Sequence, residues 1–264
     1  ITLKENHLNF IKYNLLDANW YDGFWKNTSE RFFYLQNVAE KENLKNIIHV
    51  ENDLMIYFNI KSKLKIFEKK YDIGLLLDSN VKAIPSFLYF KNVTNVNKFV
   101  SFFEKQHSLR NKLIGLTFGK LYLKIFNKNL YSKNDMDILY NFYISNLTNK
   151  KINILPSSTP TLKKNEKYSE NINLSKNFKY FRGIFDPAGF GYYLDGFDKN
   201  PIFGKKKLDK KIGTLKSAVD VTKHKIYFKN LNNKKIPYIL DGKKKVHLLT
   251  LHIHSKRLYK FLSK

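Results

Sequence analysis

Residues 46–53 read Asn46-Ile47-Ile48-His49-Val50-Glu51-Asn52-Asp53, a short β-branched run that closes on two carboxylates one residue apart. Apolar residues resume from Leu54 to Phe58, so a strand ends in an acidic turn and the chain then continues extended. Upstream, Phe24, Phe32, Leu35 and Val38 recur at helical spacing and predict a helix over Asp22 to Asn43, with Thr28 and Ser29 available as caps. Downstream, Ile73 to Leu77 and Ser86 to Phe90 read as buried strands, and Thr94 to Phe103 and Asn134 to Leu147 as helices. Strands alternating with helices over this length predict an α/β fold, a mixed sheet flanked by helices.

Beyond that half, Asn149 to Asn177 is polar and carries Pro156 and Pro160, which predicts a long loop or insertion. Phe185 to Gly196 is rich in glycine and aromatics, and Tyr227, Ile236 to Leu240 and Val246 to His254 read as strands. The expected organisation is a single domain over 1–264: a first half at 1–148, the polar segment at 149–177, and a second half at 178–264 with a basic end.

The chain of 264 residues has 22 Phe, 17 Tyr and no cysteine. That composition suits a packed core and excludes a disulfide scaffold, a thiolate metal site and a cysteine nucleophile. The net charge is +26, and only Arg31, Arg110, Arg182 and Arg257 among the basic residues are arginine. Residues 1–60 hold six basic and eight acidic side chains, whereas the segment from Lys199 onward holds 19 basic and three acidic ones. The positive charge therefore concentrates late in the chain, where it attracts phosphate-bearing partners. Lys205 to Lys211 and Lys243 to Lys245 are expected to be exposed and to serve an anionic surface. No apolar run is long enough to span a bilayer, and a cytoplasmic location with peripheral membrane contact is expected. Walker, dinucleotide-binding, G-x-S-x-G, zinc-protease, RNA-recognition and helix-turn-helix signatures are all missing.

Four groups of residues carry candidate chemistry. Glu51 and Asp53, at the polar end of a strand, suit a hard divalent cation that wants oxygen ligands. His252 and His254, two apart in a strand, share one face and can reach a metal, with Lys256 and Arg257 close by for a phosphate. Phe185 to Gly196, with glycines and aromatics around Asp186 and Asp195, suggests either a sugar-binding wall or a tight structural corner. Asn134-Asp135-Met136-Asp137 opens a helix, where acidic residues also complement the helix dipole.

Taken in order, Phe24-Trp25 to Arg31-Phe32-Phe33, His49-Val50-Glu51-Asn52-Asp53, Ile84-Pro85-Ser86-Phe87-Leu88-Tyr89-Phe90, Phe185 to Gly191 and Leu251 to Lys256 resemble a GT-A-like glycosyltransferase family. That family is associated with bacterial surface-polysaccharide synthesis and with large DNA viruses. The motif here is E-x-D where the family has D-x-D, and the family's first strand is missing or lies upstream of Ile1.

The resemblance implies a metal-dependent transfer of a sugar from a nucleotide-sugar donor to a glycan or lipid-linked acceptor, with Mn2+ or Mg2+ as cofactor. It implies Asp53 as principal metal ligand, with His252 or His254 as the late ligand. Arg31, Glu51, Ser86 and Lys256 would face the nucleotide sugar, and Asp186 or Asp135 would act as the catalytic base. The charge supports a rival expectation, a non-catalytic basic component that binds nucleic acid within a ribonucleoprotein.

Overall fold

The computed structural model describes residues 3–14, 16, 23–108, 134–191, 194, 217–219, 221, 224–231, 234–254 and 257–262. The fold is mixed α/β, and the chain divides into two compact units that are interleaved in sequence. One holds residues 1–47 and 90–146, the other 48–89 and 147–264. The division therefore does not follow the sequential halves expected above: the chain crosses between the units within β1, within β4 and in the turn after the helix Asp135–Ser145.

In the first unit, helices α1 (Glu5–Tyr13), α2 (Phe24–Lys41), α4 (Val93–Gln106) and α5 (Asp135–Ser145) pack through aromatics. Phe32, Phe99, Phe103 and Phe142 are almost fully buried. Phe99 meets Phe32 and Phe142 edge-on at centroid separations of 5.1 and 5.2 Å, the arrangement that ring quadrupoles favour. Asn92 and Asn134 cap α4 and α5 by accepting from the backbone N–H groups of Asn95 and Asp137.

The second unit carries the strands. A four-stranded sheet has the order β1-β4-β3-β5, built from β1 (Lys45–Val50), β3 (Ile73–Ser79), β4 (Lys82–Asn92) and β5 (Ile152–Ile154). A second sheet has the order β6-β9-β8-β7, from β6 (Gly183–Ile184), β7 (Tyr227–Leu231), β8 (Lys234–Asp241) and β9 (Lys244–Leu248). A third is a two-stranded ribbon of β2 (Leu54–Ile56) with β10 (Thr250–His252). Every residue of β3 is buried, as a continuous apolar run in a covered strand requires. Helix α3 (Ile60–Lys70) buries Phe67 in an aromatic cluster with Tyr71, Phe87, Tyr89, Phe181 and Phe185.

Two expectations need correction. The polar segment 149–177 is not all loop or insertion, since residues 152–159 are buried throughout and β5 runs parallel to β3, pairing Ile152 with Ile73. Its short Ile152-Asn153-Ile154-Leu155 run is enough to fill an interior position that the flanking lysines and serines disguise. The strand expected from Val246 to His254 is two strands in two sheets. The chain breaks at Leu249, whose N–H donates to the Ile184 carbonyl and whose own carbonyl accepts from Tyr57.

Candidate metal centre

The break at Leu249 decides where the late histidines go. By leaving the β9 sheet, β10 becomes free to pair antiparallel with β2, with Thr250 opposite Ile56 and His252 opposite Leu54. Asp53 sits one residue before β2, and its carbonyl accepts from the Ile253 N–H at 2.8 Å. At the other side of the turn, the Glu51 N–H donates to the Ser86 carbonyl of β4, and Leu54 donates back to Glu51. The backbone that carries both carboxylates and the imidazole is thus held by hydrogen bonds on either side of it.

The result is a close group. Nε2 of His252 lies 3.0 Å from Oδ1 of Asp53 and 3.6 Å from Oε2 of Glu51. One ligand atom from each residue lies within 4.8 Å of the other two. His254 joins by stacking its ring on that of His252, 4.5 Å between centroids. The His252 side chain is 8% exposed, and those of Glu51 and Asp53 are 17% and 13% exposed. The group is therefore sheltered, with its carboxylates only slightly more exposed than the imidazole.

Electrostatics follow from that shelter. Burial pushes Asp53 upward, but the hydrogen bond from His252 and the charges of His252 and His254 together hold it below the usual carboxylate range. Burial pushes His252 downward, but the Asp53 hydrogen bond and the charges of Asp53, Glu51 and Asp186 prevail and hold it above the usual range. Both shifts act in the direction that favours a protonated His252 beside an ionised Asp53. Adjacent ligands of an octahedral ion at about 2.1 Å lie about 3 Å apart, so the 3.0 and 3.6 Å separations fit a divalent cation shared by these three side chains. Two carboxylates with one imidazole form a donor set suited to Mn2+ more than to Mg2+.

His252 is held from behind by Asp186, which is 0% exposed. The Asp186 carboxylate accepts from three backbone N–H groups: Phe190 at 2.9 Å, Gly191 at 2.7 Å and His252 at 3.0 Å. Its own N–H donates to Thr250 Oγ1. Burial pushes its pKa up, against the pull of those donors. A carboxylate enclosed this way cannot come within reach of an acceptor hydroxyl, so the expectation of Asp186 as catalytic base is corrected. It builds the corner that seats β10.

Gly191 completes that corner. A Cβ there would lie 2.2 Å from the His252 carbonyl oxygen, so only glycine lets the two backbones approach this closely. Of the two expectations for this segment, a sugar-binding wall or a tight structural corner, Gly191 fits the corner. Gly189 is likewise packed against Val221.

The remaining expected residues are placed as follows. Ser86 is fully buried and its hydroxyl donates to the Pro187 carbonyl at 3.4 Å, which corrects its assignment to the nucleotide sugar. Arg31 and Asp135 lie in the helical unit and pair with each other at 2.8 Å, with Asp135 only 2% exposed. Asp135 is therefore tied up as an ion-paired residue in the first turn of α5, not poised as a base. Lys256 and Lys205 to Lys211 lie outside the described residues, while Lys243, Lys244 and Lys245 are exposed. Thr250 and Gly191 were missed as site-building residues, because only the tertiary pairing of two distant segments gives them that role.

Comparison with protein-family models, with curated proteins and with solved structures gives no match to this chain.

Proposed function

We propose that the chain is a metal-dependent glycosyltransferase of GT-A-like architecture, transferring a sugar from a nucleotide-sugar donor to a glycan or lipid-linked acceptor. The observation that carries this reading is the convergence of Glu51 and Asp53, from the turn between β1 and β2, with His252 of β10 within 4.8 Å. Bound there, Mn2+ or Mg2+ would supply a Lewis acid that neutralises the charge on a departing nucleoside diphosphate. Asp53 and His252 would be the nearest ligands, with Glu51 as a further ligand or a partner to a coordinated water. Asp186 holds the His252 backbone through its N–H, which seats the end of β10 beside Asp53.

The test is release of nucleoside diphosphate from a panel of nucleotide sugars, in Mn2+ and in chelator. The reading expects release with at least one donor that requires Mn2+ and falls at least tenfold in Asp53→Asn. Release that persists in chelator, or that Asp53→Asn leaves unchanged, would defeat it.

A further inference from the structure

The β7-β8-β9 part of the second sheet has two unlike faces. Pro237, Ile239, Val246 and Leu248 are buried on one. The register places Tyr227 opposite Tyr238 and Tyr238 opposite His247, so these rings form one cross-strand row on the other face. The rings of Tyr227 and Tyr238 are stacked, 5.4 Å between centroids at 21°. The ammonium of Lys225 lies 5.5 Å from the Tyr227 centroid, and that of Lys245 lies 5.2 Å from the Tyr238 centroid. Lys229, Lys234, Lys245 and His247 are exposed here. Strand alternation sends no acidic residue of β7, β8 or β9 to this face, and Asp241, on the opposite side, accepts from Thr159 and Thr161.

We propose that this face binds single-stranded nucleic acid, with bases stacking on the tyrosine row and lysines taking the phosphates. Two kinds of group are needed for that ligand, a π-surface and a line of cations, and both are present side by side on a face to which β7, β8 and β9 send no carboxylate. The lysines now resting against the tyrosine rings are placed to move onto phosphates when a base takes their position. Positive charge complements any polyanion, but polyphosphate or an anionic bilayer has no use for the aromatic row. The proposal stands independently of the transferase reading, since Glu51, Asp53 and His252 take no part in it.

Fluorescence anisotropy on the whole chain with labelled oligo(U) and oligo(dT) of about 12 nucleotides, at about 50 and 200 mM salt, provides the test. The expected result is binding to the oligonucleotide that weakens with salt. Tyr238→Ala should weaken it about 5- to 100-fold with an unchanged salt slope, Tyr238→Phe should bind nearly as wild type, and Lys245→Gln should lower the slope by about one. Should circular dichroism show Tyr238→Ala unfolded, His247→Ala on the exposed end of the row takes its place with the same expected direction. The proposal is overturned if the wild type does not bind at low salt, if the aromatic variant binds as tightly as wild type, or if inorganic polyphosphate or phosphatidylserine vesicles displace the oligonucleotide at equal charge concentration.

Discussion

Asp53 and His252 depend on each other, and the signs of their shifts fix how the site responds to pH. Asp53, depressed in the folded chain, contributes stability that is present above its unfolded pKa and is lost as pH falls through its lowered folded value. His252, raised, contributes stability that is present below its unfolded pKa and is lost as pH rises through its raised folded value. The metal-free pair is therefore strongest between those two values. A metal needs neutral His252, so affinity should run the opposite way on the alkaline limb. Mn2+ titrations between about pH 5.5 and 8.5 should show affinity falling about tenfold per unit below the His252 pKa and levelling above it. A flat profile would mean that His252 is not a ligand.

Asp186 makes a second prediction at this scale. Asn in its place has one acceptor oxygen for three backbone donors, leaving at least one buried N–H unsatisfied at a cost of about 1–3 kcal/mol. Asp186→Asn should therefore lower the melting temperature and weaken Mn2+ binding together. A variant of unchanged stability that lost only sugar transfer would restore Asp186 as the base.

At the scale of elements, the site rests on the β2-β10 ribbon and on the corner that Gly191 permits. Gly191→Ala places a methyl 2.2 Å from the His252 carbonyl oxygen, and backbone must shift to admit it. The expected cost is about 1–3 kcal/mol, the range for overpacking a filled interior, with weaker Mn2+ binding although no ligand has been touched. Thermal melts and metal titration of the same variant check both. The Glu51-x-Asp53 turn and the one-face histidines were legible in the sequence, because strand alternation and an acidic strand end are local signals. That the two segments meet was not deducible from local pattern. It depends on the break at Leu249, which is set by hydrogen bonds to Ile184 and Tyr57 far away in the chain. Helix α3 escaped notice for a related reason: of its eleven residues only Phe67 is buried, so its apolar stripe is thin.

At the scale of the whole molecule, composition foretold a packed aromatic interior and a basic second half, and both describe the structure's two units and its lysine-bearing sheet face. The interleaved division into units was invisible, because no composition shift marks places where one strand passes from one unit to the next. Among the described residues no helix is long and apolar enough to cross a membrane. The account's central claim is that the Glu51-x-Asp53 turn and His252, about two hundred residues further along the chain, form one cation site. Isothermal titration of the whole protein with Mn2+, beside Asp53→Asn and His252→Ala, tests it most directly. The account predicts one ion per chain for the wild type, and affinity at least tenfold weaker in each variant with the fold retained. Equal Mn2+ affinity in wild type and both variants, or no binding by the wild type, would contradict it.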